Sequence, residues 1–138
     1  MIYEKISTFA IVDNNGKVIQ NATFTNNDNI NLVVSALHLF QTVSYKFIFL
    51  IADEKNKLIQ TTGIELKPDN NTDTEIYNIS TNISFKAKGL MSNGDFIITC
   101  LLIDKKDEGV DTPESTGIPA KSFAQVIFSI GGESYVKH

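Results

Sequence analysis

The side chains with the greatest chemical reach in this sequence are one cysteine and two histidines, and their settings decide what they can do. Cys100 lies in the apolar run FIITCLLI, where a thiol is buried and inert; a nucleophilic cysteine needs exposure and a neighbouring cation or base. His38 sits in ALHLF, the setting of a packed imidazole with one satisfied nitrogen, and His138 ends the chain. One cysteine allows no CxxC pair, and no HxxxH spacing occurs, so no zinc set or imidazole-based triad is spelled out. No catalytic residue is assigned, and the chain reads as a non-enzyme.

Carboxylates form two clusters. Asp69, Asp73 and Glu75 share one loop, and Asp104, Asp107, Glu108 and Asp111 share another. Asp107 and Asp111, with a third group from an opposing loop, are the oxygen ligands to try for calcium. No D-x-[DN]-x-[DN]-G pattern supports them, so no metal is assigned. Paired carboxylates also suit sugar chemistry, but no tryptophan platform exists to hold a ring. A calcium- or glycan-binding module is therefore the alternative reading. Glycines form neither a GKS/GKT phosphate loop nor a spaced triplet, and no cofactor is implied.

The segment that stands out is DEGVDTPESTGIPAK, Asp107 to Lys121. Its fifteen residues carry no strand pattern and contain Pro113 and Pro119, which is longer than most connections. Asp107, Glu108, Asp111 and Glu114 are its candidate binding residues, because a carboxylate-bearing loop steers association with a basic protein. The function expected on these grounds is protein binding, as an inhibitor, an accessory subunit or a structural component.

Charge and composition narrow the partners. Twelve lysines and no arginine face sixteen carboxylates, a net charge of −4. That balance repels a phosphate backbone, and the missing arginines remove the usual bidentate reader of phosphates and guanine edges. No nucleic-acid partner is expected. The longest apolar stretch, Phe47 to Ala52, is far below the roughly 18 residues of a membrane span. The amino-terminal MIYEKISTFAIV mixes charges of both signs and does not read as a signal peptide. A reducing, cytoplasmic setting without membrane contact is the expectation. Sequons at Asn21, Asn70, Asn78 and Asn82 follow from a composition with thirteen asparagines and imply nothing without a secretory segment.

What must position these residues is a set of strands. Isoleucine, valine, threonine, phenylalanine and tyrosine supply 51 of 138 residues, the types that fit a pleated, half-buried surface. Strands are expected over Tyr3 to Val12, Lys17 to Thr25, Tyr45 to Ala52, Lys57 to Leu66, Glu75 to Lys86, Asp95 to Ile103 and Ser122 to Ile130. Asn15-Gly16 is expected to fold the first two into a hairpin. Residues 30–43 admit two readings. Val33, Val34, Leu37 and Phe40 fit one face of a helix capped by Asp28 or Asn29, whereas Ile30, Leu32, Val34, Ala36, His38 and Phe40 fit one face of a strand. The strand-rich surroundings favour the second.

A weak internal repeat runs through the same elements. FAIVDNNGKVIQ at 9–20 and FLIADEKNKLIQ at 49–60 agree at six of twelve positions, and CLLIDKK at 100–106 keeps the apolar run ending in aspartate. The common unit is a strand whose exit aspartate accepts backbone hydrogen bonds in the following turn. Seven or eight short antiparallel strands in 138 residues imply a single domain, residues 1–138, of two packed sheets with a long loop at about 107–121. The layout resembles immunoglobulin-like sandwiches, and Asn93-Gly94-Asp95-Phe96 to Cys100 is similar to the turn and strand before their second cysteine. There is no tryptophan, no partner for Cys100, and no hydroxyl on Phe96 to make a tyrosine corner. The likeness implies an architecture and no function. Self-association through an exposed face or an open sheet edge, such as that of the first two strands, is a further expectation.

Overall fold

In the computed structural model the described residues are 4–67, 75–90, 93–108 and 120–131. They form eight strands: β1 (Lys5–Val12), β2 (Thr23–Phe24), β3 (Asn29–Phe40), β4 (Tyr45–Asp53), β5 (Leu58–Glu65), β6 (Ile76–Lys86), β7 (Gly94–Asp104) and β8 (Ser122–Ile130). A 3-10 turn, Ala87–Leu90, and one turn of helix, α1 (Lys105–Glu108), complete them. Strands β1-β3-β6 make a three-stranded sheet, and β2-β8-β7-β4-β5 make a five-stranded one. The two pack as an all-β sandwich around a shared apolar core.

The disputed segment is strand. β3 is the middle strand of its sheet, hydrogen-bonded to β1 on one side and β6 on the other, and this pairing takes up most of the backbone groups that a helix would have bonded internally. Ile30, Leu32, Val34 and Ala36 point inward and are fully buried. The alternation then slips. The ladder to β6 is interrupted between Ala36 and Leu39, His38 adopts a left-handed backbone with φ 63°, and Leu39 takes the inward place that strict alternation would give His38. The displaced His38 N–H is satisfied by the Asn78 side-chain oxygen at 3.1 Å. β1 slips too, between Ile6 and Thr8. That bulge lets Ile6 and then Phe9 and Ile11 all reach the core, and it explains why neither parity of this segment reads cleanly.

The expected hairpin between β1 and Lys17–Thr25 closes only as far as Ile19, whose N–H bonds the Ile11 carbonyl at 2.8 Å. Gly16 supplies a positive φ of 83°, but beyond the turn only Val18 bridges back to Val12. The chain then crosses to the other sheet, helped by a left-handed Asn21 with φ 54°, and β2 runs parallel to the end of β8. Polar Gln20 and Asn21 interrupt the apolar pattern where a second strand would need it. Ala22 and Phe24, both buried, anchor the crossing instead.

The internal repeat is a repeated turn. Asp13 Oδ1 accepts from the N–H groups of Asn15 and Lys17 at 2.8 and 2.9 Å, and Asp53 Oδ1 accepts from Lys55 and Lys57 at 2.9 Å each. In both, the aspartate N–H bonds the lysine carbonyl four residues on, and the intervening Gly16 or Asn56 N–H bonds the aspartate carbonyl. Gly16 and Asn56 occupy the same left-handed position, the one place in the loop where glycine or asparagine is favoured. Asp104 begins the same way, accepting from the Lys106 N–H at 3.1 Å, but the chain there enters α1.

Candidate functional site

Strand alternation sends one set of side chains into the core and the other outward, and the outward sets of the two sheets differ in chemistry. On the three-stranded sheet, β6 presents Asn78, Ser80, Asn82 and Ser84 to solvent. β3 adds Asn31 and Ser35 beside them, with Ser35 donating to Ser80 across the strands at 3.0 Å. Exposed apolar residues on β3 and β6 are the pair Phe40 and Ile76 at one end.

The outer face of the five-stranded sheet is apolar. The registers of β8, β7, β4 and β5 align it in rows across the strands. One row is Phe123, Leu101, Ile48 and Gly63; the next is Gln125, Thr99, Leu50 and Thr61; the third is Ile127, Ile97, Ala52 and Leu58. Phe123 and Ile127 stand 66% and 64% exposed at one side, and Leu58 is exposed at the other. Two apolar rows thus flank a middle row in which the Gln125 amide donates to Thr99 Oγ1 at 2.9 Å. Charges sit at the ends of the strands. Lys46 and Lys121 occupy one end, where Lys105 also pairs with Glu65 at 3.1 Å. Asp95, which accepts from the Ser129 hydroxyl, occupies the other, with the Glu54 carboxylate beside Gly94. Between them Ile97, Leu101, Leu50 and Ala52 are half-buried and Ile48 is buried, and exposed apolar side chains grouped on one face mark candidate interaction sites.

This face was not singled out by sequence reasoning, although a signal existed. The segments FIITCLLI and SFAQVIFSI carry large apolar residues at both parities, which is how a strand covered on both faces reads. Here the core covers only one.

The residues that sequence analysis did single out are placed as follows. Asp107 and Glu108 belong by backbone to α1, while Asp111 and Glu114 lie outside the described residues, as do Asp69, Asp73 and His138. The chain leaves β7 and re-enters β8 at neighbouring points, since the Lys121 N–H bonds the Leu102 carbonyl at 2.8 Å. Both ends of segment 107–121 therefore adjoin the lysine end of the apolar face. Among the described residues no group of three histidine, cysteine or acidic side chains is placed to hold a metal, and no helix is long and apolar enough to cross a membrane. His38 lies at the β3 bulge.

Cys100 is fully buried in the core-facing row of β7. Burial pushes its thiol from the ordinary 9.0 up to about 12, so almost no thiolate exists near neutrality. Alkylation of the folded protein is expected to run at least about 100-fold slower than in denaturant, because the thiolate is the reactive form and the site is closed. Fast labelling of the folded chain would contradict this placement.

No known family model matches the sequence, and no curated protein matches it. Solved structures do match in fold. The C-terminal domain of wzt superposes with a TM-score of 0.61 at 10% identity, covering 93% of this chain and 73% of that one. A bacterial adhesin from Mobiluncus mulieris, containing intramolecular disulfide, isopeptide and ester cross-links, gives 0.55 at 9% identity; the match covers 94% of this chain and spans 58% of the adhesin chain. A Niemann-Pick type C2 protein from Japanese carpenter ant gives 0.53 at 10% identity and covers 94% of each chain. At these identities the shared property is the β-sandwich.

Proposed function

We propose that this chain is a non-enzymatic, protein-binding β-sandwich of immunoglobulin-like topology, acting as an inhibitor, accessory subunit or structural component. The topology is supported by the sheet orders β1-β3-β6 and β2-β8-β7-β4-β5, in which the opening segment contributes a strand to each sheet. The observation that carries the function is the contrast between the two outer faces. Asn78, Ser80, Asn82 and Ser84 line one outer face, where Phe40 and Ile76 are exposed only at one end, whereas the more exposed Phe123 and Ile127 stand in water on the other. Covering such a face removes apolar area from water at about 25 cal/mol per Å², and a flat, strand-built face without a deep cleft suits a protein surface better than a small molecule.

Photo-cross-linking in the native cell tests the proposal. A benzophenone side chain at Ile127 is expected to capture protein, and one at Asn82 on the opposite face is not.

A further inference from the structure

We infer that the partner of the apolar face is a second copy of this chain, docked around a two-fold axis that runs along the row Gln125, Thr99, Leu50 and Thr61. The inference rests on the reading that this face binds protein, and it follows from how the rows repeat. An isologous contact requires a surface to complement itself when turned over. Rotation about the middle row exchanges the two apolar rows that flank it. Phe123 then meets Ile127 of the second copy, and Leu101 meets Ile97 of the second copy, with the same pairs formed in reverse. Apolar side chains therefore face apolar side chains throughout, and the middle row packs on itself.

Charge follows the same rule. The rotation brings the lysine end of one copy over the acidic end of the other. Along β8, Lys121 lies over Ser129 of the second copy, one strand from its Asp95. A two-fold axis parallel to the strands would instead exchange β8 with β5 and β7 with β4, bringing Lys121 to Glu65 but setting Asp95 against Glu54 of the second copy, a like-charge contact that the axis along the row avoids. The size is sufficient. Four strands about 4.8 Å apart, with the three rows and the charged positions at each end spaced about 6.8 Å along them, span roughly 650 Å² per copy and about 1,300 Å² for the pair, at the lower end of the about 1,200–2,000 Å² that specific complexes bury.

Analytical ultracentrifugation of the purified full chain tests this. At about 100 µM the wild type is expected to sediment as a dimer of 15.3 kDa subunits. Ile127→Lys should retain the wild-type melting temperature and raise the dissociation constant at least about 100-fold, because it buries an unpaired ammonium against Phe123 of the second copy. Lys121→Glu alone should weaken the dimer about 10-fold, and Lys121→Glu combined with Asp95→Lys should restore it to within about threefold of wild type. Both positions are exposed, so neither change threatens the fold. A wild type that stays monomeric overturns the inference while leaving the protein-binding reading to the cross-linking result. A dimer indifferent to Ile127→Lys overturns the face. A charge swap that fails to restore association overturns the axis.

Discussion

Replacing Phe128 with alanine is expected to remove about 3–5 kcal/mol of folding stability, the largest loss from any single side chain discussed here. The ring is 1% exposed on the inward face of β8. It stacks on Phe96 of the same sheet with centroids 5.6 Å apart, and meets Phe24 of β2 and Phe85 of β6 edge-on at 5.9 and 6.5 Å. Phe85 belongs to the opposite sheet, so truncation opens a void at the junction of both layers, where the surrounding strands cannot collapse to fill it. Phe123→Ala, five residues away on the outward face of the same strand, is the control. Its ring is mostly in water, and its loss should cost less than about 1 kcal/mol, as surface changes do. Denaturant melts of the two variants check the assignment. Similar losses would mean that the inward and outward sets of β8 have been exchanged.

The two buried tyrosines are expected to respond in opposite directions. The Tyr45 hydroxyl donates to Glu4 Oε2 at 2.5 Å and accepts the Phe40 N–H at 3.0 Å, so Tyr45→Phe strands a part-buried backbone donor and should cost about 1–3 kcal/mol. The Tyr77 hydroxyl is buried with no partner among the described residues. Tyr77→Phe deletes an unsatisfied group and should be neutral or stabilising by up to about 1 kcal/mol. Both phenols are held above their ordinary 10.0, Tyr45 by burial and then by the Glu4 hydrogen bond, and Tyr77 by burial. The folded chain keeps these protons where the unfolded chain gives them up. Their contribution is complete below about pH 10 and is lost as the pH rises beyond it. Urea melts of the wild type and both variants at neutral and alkaline pH read this directly. A stability that falls less steeply with pH in Tyr45→Phe is the expected result, and a destabilised Tyr77→Phe would show that its hydroxyl has a partner.

Most strands of the sandwich were legible because β-branched and aromatic residues crowd β4, β7 and β8 in short runs bounded by polar turn residues. The aspartate turns were legible as well, since the repeat DNNGK and DEKNK encodes one acceptor and one left-handed residue at fixed offsets. Two kinds of feature were not. Bulges in β1 and β3 shift the inward parity by one residue, and a shift of that kind depends on the neighbouring strand rather than on the residues themselves. The crossing of 17–25 from one sheet to the other is likewise set by where β8 ends. The apolar outer face was missed for a different reason: apolar residues at both parities describe a strand covered on both faces and equally one with an apolar face left open. The acidic candidates of segment 107–121 were chosen for composition alone. Asp107 and Glu108 fall at the end of α1, and Asp111 and Glu114 fall outside the described residues.

Which side of the sandwich touches another protein is the decisive observation. A benzophenone amino acid placed at Ile127, and in a separate variant at Asn82, reports this in the native cell, because it bonds covalently to whatever lies within a few ångströms on irradiation. From Ile127 the expected result is a single adduct heavier than the 15.3 kDa chain, and from Asn82 no adduct above background. An adduct from Asn82 and none from Ile127 would place the interface on the polar sheet and contradict the account.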